Sequence, residues 1–121
     1  MADYLPKFKP GEAVTFTASA AVTGGRLVVA TGDRTVGPAG ADSAAVIGVA
    51  AFDAASGESV TVFTRAGGIQ RLTASAAIAA GAQVISAANG KIATVGAGAN
   101  PIGIALVAAA ADNDVIDVLF I

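Results

Sequence analysis

The chain has 121 residues, of which 55% are hydrophobic and 13% are charged, and its formal net charge is −2. It contains no His and no Cys, which argues against a histidine base, a thiol nucleophile, a disulfide framework and most transition-metal sites. The acidic balance, without a basic stripe, argues against a nucleic-acid partner, and no apolar run is long enough to span a bilayer, so no membrane partner is expected.

Length and composition together indicate one domain that has too few charged residues to give an isolated chain a polar surface. A chain of this length is one domain by the usual prior and can bury a modest core. Its charged fraction of 13% is about half of the ordinary value, so we expect another copy or a larger partner to cover part of the apolar surface. The N-terminus lacks the apolar core of a signal peptide, which predicts synthesis in the cytoplasm.

Residues 1–11 differ from the rest of the chain, because they combine two prolines and two lysines with a phenylalanine and the single tyrosine. Each proline favours extended backbone in the residue before it and removes an amide donor. We predict an extended N-terminal arm, with a disordered leader as the alternative. Aromatic residues are unusual in a purely disordered tail. The arm residues expected to contact a partner are Tyr4, Leu5, Lys7, Phe8 and Lys9.

Residues 12–121 are predicted to form a single β domain. Residues 14–17 (VTFT) alternate apolar side chains with threonines, as a half-buried strand does. In the second half, Asn89-Gly90 between two apolar runs predicts a hairpin, because both residues tolerate positive φ. Residues 74–80 have high helix propensity but are too few for a stable helix, which leaves one helical turn or a tight bend. Further strand signals lie at residues 27–29, 46–50, 60–64, 69–72, 84–86, 91–95 and 102–106.

The chain closes with residues 115–121 (VIDVLFI), which are apolar on both faces. Such a strand is either central to the fold or packed in a subunit interface. The candidate interface residues are Val115, Ile116, Val118, Leu119 and Phe120.

Parts of the sequence occur twice in the same order, which predicts two copies of one supersecondary unit at approximately residues 14–65 and 70–121. The alternative is two hairpins made alike by an alanine-rich composition. The matched segments are residues 17–25 (TASAAVTGG) with 73–81 (TASAAIAAG), residues 47–50 (IGVA) with 102–105 (IGIA), and Val60 with Val115.

No catalytic motif is apparent. The serines have no histidine partner, and no motif supports a Ser-Lys pair with Lys91. The turn that carries Asp112 and Asp114 lacks the full spacing of a calcium loop, and residues 96–98 (GAG) lack the Lys-Ser/Thr of a phosphate loop. We therefore predict no catalytic residue, no cofactor and no metal site, and the protein is not expected to be an enzyme.

Several short segments, in their order and spacing, resemble a family of small phage capsid decoration proteins, also called cement or head-stabilisation proteins. Residues 78–84 (IAAGAQV) also resemble the bend of β-clip domains, a class that includes the β-tulip decoration proteins. The other segments that carry the resemblance are KPGE at 9–12 before the VTFT strand, VIGVA at 46–50, DAASGE at 53–58, ANGK at 88–91 and IGIA at 102–105.

The resemblance implies an all-β protein, a small barrel or β-tulip of two similar halves, that works on the virion. It would bind the outer surface of an icosahedral head as a homotrimer and bridge neighbouring major capsid subunits. The composition of the arm, and not the resemblance, leads us to expect that the arm contacts the capsid. The alternative is a carbohydrate- or cell-surface-binding module displayed on a virion, against which the absence of Trp and the single Tyr weigh.

Overall fold

Ten strands joined by turns make up the computed structural model, which describes Leu5 and residues 7–66 and 68–121. Within these residues the only helical element is a 3-10 turn at Ala88–Gly90, and no helix has the length and apolar character that a membrane span requires. The prediction of an all-β fold containing a small barrel is confirmed. The strands are β1 Ala13–Ala18, β2 Leu27–Gly32, β3 Thr35–Pro38, β4 Val46–Ala50, β5 Ser59–Thr64, β6 Ile69–Thr73, β7 Gln83–Ser86, β8 Ile92–Thr94, β9 Gly103–Ala105 and β10 Val115–Phe120.

The first five strands form a closed barrel in the order β1-β3-β2-β4-β5. Strand β1 runs parallel to β3 and antiparallel to β5, and this pairing closes the ring. Alternation dictates the interior, because every second side chain of a strand points to the same face. Val60 and Val62 of β5 are fully buried, as is Val36 of β3. Small side chains fill the rest of this narrow core, including Ala18 and Ala50.

The last five strands form a sheet in the order β6-β10-β9-β7-β8, which is the strand order of the first half. Its two outer strands approach each other through a parallel bridge between Ala74 and Ile92. The first barrel has the same parallel contact between Ala18 and Val36. The core of the second half contains Leu72 and Phe120 and is continuous with Leu27, Val46 and Val49 of the first half.

Matched hydrogen bonds give the register between the two halves. The Ala18 N–H donates to the Glu58 carbonyl at 2.8 Å, and the Ala74 N–H donates to the Asp114 carbonyl at 2.7 Å. Counting from these bonds makes Val60 the first-half equivalent of Ile116, and both side chains are buried. The sequence match of Val60 with Val115 is therefore wrong by one residue, because the connection 106–114 is one residue longer than the connection 51–58.

The two halves are joined by the loop between β3 and β4. Buried Ser86 donates its hydroxyl proton to the Gly40 carbonyl at 2.7 Å and accepts from the Ser43 N–H at 2.9 Å. The Asp42 carboxylate accepts from the N–H groups of residues 99 and 100, at 3.0 Å from Ala99 N to Oδ2 and 2.9 Å from Asn100 N to Oδ1. Each polar group that closes this junction is paired, as buried polar atoms require.

Arg65 holds the segment between the halves. Its guanidinium donates to the carbonyls of Val46, Pro101 and Ile121, at 3.4, 3.2 and 3.2 Å. A planar guanidinium with five N–H donors suits such a role, because it can reach several carbonyl groups at once.

Candidate interaction surfaces

The polar side chains that could support catalysis are instead engaged in turns and backbone contacts. Ser75 donates to the Ile92 carbonyl at 3.0 Å. Lys91 pairs with Asp112 at 3.0 Å, and Asp114 accepts from the backbone N–H groups of residues 110 and 111. Across Leu5 and residues 7–66 and 68–121, no group of three or more Asp or Glu side chains is arranged to hold a metal ion.

The N-terminal arm presents its predicted contact residues to solvent. Leu5 is 86% exposed and Phe8 is 43% exposed, and Lys7 and Lys9 are exposed as well. Tyr4, the fifth predicted contact residue, lies outside the described part of the chain. The arm therefore offers an apolar and basic strip beside the first barrel.

Arg34 holds this arm against the end of the first barrel. Its guanidinium carbon lies 5.3 Å from the centre of the Phe8 ring and 5.0 Å from the centre of the Phe16 ring. At these distances a cation is attracted to the faces of both rings. The same guanidinium donates from Nη2 to the Thr15 carbonyl at 2.7 Å. Arg34 and Phe16 were not among the contact residues predicted from the sequence, because their approach to Phe8 depends on the folded chain.

The C-terminal strand β10 divides its five predicted interface residues between two faces. Ile116, Val118 and Phe120 are 3%, 0% and 2% exposed and fill the interior of the second half, so they are not available to a partner. Val115 is 51% exposed and Leu119 is partly exposed, and both point outward. A surface on this strand is therefore limited to Val115, Leu119 and the side chains beside them.

Those neighbouring side chains form a continuous outer face of the second half. Cross-strand pairs place Leu119 between Ile69 and Ile104, and Asp117 opposite Arg71. Ile69 is 60% exposed, the largest value among the apolar side chains of this face. We call this surface the second-half face; it comprises Ile69, Arg71, Thr73, Ile104, Val115, Asp117 and Leu119.

The first half differs from this face at some matching positions and resembles it at others, where Val49 and exposed Phe63 match Ile104 and Leu119. Ser59 takes the place of Val115, and Ala13 takes the place of Ile69. Thr15 and Thr61 stand opposite each other where the second half has Arg71 and Asp117. The shared backbone therefore does not require a branched apolar side chain at residues 69 and 115. These two side chains add exposed apolar area that the first half lacks at the matching positions.

Comparison with known proteins gives a family and a fold. The family model of phage cement proteins matches residues 8–120. No curated protein is significantly similar in sequence. Among solved structures, the chain is similar to the head fiber gp8.5 N base of bacteriophage phi29, with 18% identity and a TM-score of 0.74 over 91% of this chain and 93% of that one.

Proposed function

We propose that this chain, which belongs to the phage cement protein family, binds the outer surface of an icosahedral head and bridges neighbouring major capsid subunits. Family membership makes it a virion-associated structural protein and points away from an enzyme. The observation that carries the finer proposal is the arm, in which Leu5 and Phe8 are exposed and Phe8 is held beside the barrel by Arg34. Such a strip can lie on a neighbouring protein while the barrel remains folded.

Stabilisation of the head would then come from avidity. One arm of a few residues can make only modest contacts with a capsid subunit. When several arms belong to one oligomer of this protein, each further contact with the head forms at a high effective concentration, which raises the overall affinity by about 10²–10⁴-fold. Contacts with different capsid subunits resist their separation, because all of them must break before the protein leaves.

We also propose that the protein is a homotrimer and that its subunits contact one another through the second-half face. Val115 and Leu119 keep the role expected from the sequence, and Ile69 and Ile104 join them. We propose further that the fold is related to that of the β-tulip proteins. This relation is supported by the IAAGAQV segment, which contains the antiparallel bridge between Ile78 and Ala109 and a turn at residues 80–81.

Deletion of residues 1–10 tests the arm. The shortened chain is expected to fold, because β1 begins at Ala13, and to lose binding to heads that lack the protein. Circular dichroism checks the fold and co-sedimentation with heads checks binding. Full occupancy by the shortened chain would rule out the arm as the capsid contact. In purified virions, we expect a copy number comparable to that of the major capsid protein, and a trace amount would refute the bridging role.

Val115→Asp tests the second-half face, with Ser59→Asp as its matched control at the same position of the first half. Val115→Asp places a charge in the proposed interface and is expected to lower the mass measured by sedimentation to that of a monomer. Ser59→Asp is expected to leave that mass unchanged. Equal masses for the two variants would remove this face from the interface.

A further inference from the structure

A cavity of about 660 Å³ opens to solvent where the arm meets the end of the first barrel. Val14, which is 5% exposed, and half-buried Phe16 line its apolar part. Arg34 and Thr64 line the barrel side. The cavity therefore has an apolar floor beside a guanidinium, within the size range of ordinary ligand sites. The arm residues that line it are Lys7, Phe8, Lys9 and Pro10.

Arg34 adopts a backbone conformation that its residue type does not favour. It is the second residue of the two-residue connection between β2 and β3, with a φ of 53°. Hairpins of this kind favour Asn or Gly, because a Cβ is strained at positive φ. A residue kept in such a conformation suggests that its side chain serves a purpose at that place.

The Arg34 side chain has hydrogen-bonding capacity left at the cavity. Of its five N–H donors, one contact is made within the described residues, from Nη2 to the Thr15 carbonyl. No carboxylate of those same residues forms an ion pair with it, since the one ion pair found there joins Lys91 to Asp112. The guanidinium carbon lies over both phenylalanine rings, and the N–H donors that do not bond Thr15 remain for an acceptor in the cavity.

We propose that this cavity binds an acidic side chain that follows an apolar residue on an exposed segment of the major capsid protein. The apolar residue would lie on Val14 and Phe16, and the carboxylate would pair with the edge of Arg34, a geometry that guanidinium groups favour. The local charge supports an acidic partner. Three cationic side chains, Lys7, Lys9 and Arg34, line the cavity, and two acidic residues, Glu12 and Asp33, are their neighbours in the sequence. The cavity is thus lined by positive charge although the net charge of the whole chain is −2. The identity of the partner rests on the proposed function, whereas the carboxylate chemistry rests on the cavity.

Arg34→Gln is the first test, and Arg26→Gln is its charge-matched control. Arg26 precedes β2, at the opposite end of that strand from Arg34. We expect Arg34→Gln to bind heads at least about tenfold more weakly than the native chain, with a flatter dependence on salt concentration. Arg26→Gln is expected to bind within about twofold of the native chain, because Arg26 does not line this cavity and its one side-chain hydrogen bond within the described residues is a long contact of 3.5 Å to the Asn89 carbonyl. Equal binding by both variants would overturn the inference.

Arg34→Asn separates binding from folding. Asn tolerates the positive φ at this position, which offsets the loss of the Thr15 hydrogen bond and the ring contacts, so the midpoint of thermal unfolding is expected to stay close to that of the native chain. Binding to heads is expected to fall as it does for Arg34→Gln. A residue with only a structural role would give the opposite pair of results, a lower midpoint and unchanged binding.

Zero-length carbodiimide cross-linking of decorated heads identifies the partner group. We expect Lys7 or Lys9 to couple to an Asp or Glu of the major capsid protein that follows an apolar residue. The native chain could instead decorate heads while these lysines form cross-links only to other residues of this chain. That result would overturn the present inference and leave the proposed function standing. Failure of the native chain to bind heads would remove the proposed function and the partner named here with it.

Discussion

Gly103 occupies a position where the backbone of the neighbouring strand leaves no room for a side chain. A Cβ added to Gly103 would lie 2.5 Å from the Leu119 carbonyl oxygen and 2.7 Å from Cγ1 of Val118. Both distances are about 1 Å shorter than ordinary contact. The Leu119 carbonyl cannot retreat easily, because β10 is held between β6 and β9. Overpacking of this kind typically costs about 1–3 kcal/mol, and the upper half of that range is expected here.

Gly103→Ala should therefore lower the free energy of unfolding by about 2–3 kcal/mol, which corresponds to roughly 6–15 °C in the midpoint of thermal unfolding for a chain of this size. Gly48→Ala should cost a similar amount, because its Cβ would meet the Phe63 carbonyl oxygen at the matching place of the first half. Gly40→Ala is the control, since no heavy atom lies within 4 Å of its Cβ. Urea unfolding followed by circular dichroism measures all three, and a midpoint for Gly103→Ala equal to that of the control would refute the reasoning.

Two further predictions concern the junction between the halves. Ser86→Ala leaves the Gly40 carbonyl and the Ser43 N–H without their buried partner, so urea unfolding should show a loss of about 2–3 kcal/mol, and an unchanged midpoint would contradict this. Hydrogen bonds from the N–H groups of residues 99–100 lower the pKa of Asp42 below 3.8. Its contribution to stability is present above that pH and disappears as the pH falls through the lowered pKa. Asp42→Asn should thus be less stable than the native chain near neutral pH but not in strong acid, and a constant difference across that range would contradict the assignment.

Local signals in the sequence were sufficient for most strands and turns. The alternation at residues 14–17 corresponds to β1, and the glycine-bearing runs correspond to β4 and β9. Asn89 and Gly90 have φ values of 61° and 72°, as the hairpin signal predicted. These features succeed because turn chemistry and a period of two depend on neighbouring residues alone.

Features that depend on contacts between distant residues were harder to predict from the sequence. Residues 74–80 have helix propensity but form a bend, because Ala74 and Ile78 are buried and bridge to Ile92 and Ala109. Tertiary packing overrides a weak local preference in such a short segment. The apolar strand β10 could not be divided into inner and outer residues from sequence, because both of its faces are apolar. Register against β6 and β9 makes that division, and it separates Val118 from Leu119.

The hairpin after the second strand of each half explains why the Arg34 site exists in only one of them. In the second half, Asn89 and Gly90 take the places of Asp33 and Arg34. A Cβ at Gly90 would lie 2.6 Å from the Leu27 carbonyl oxygen, because this hairpin packs against the first half. Glycine is required there by close contact as well as by positive φ. The first-half hairpin carries Arg34 at the matching position despite its positive φ. One copy of the hairpin thus packs against the other half, and the other copy carries the arginine that lines the cavity.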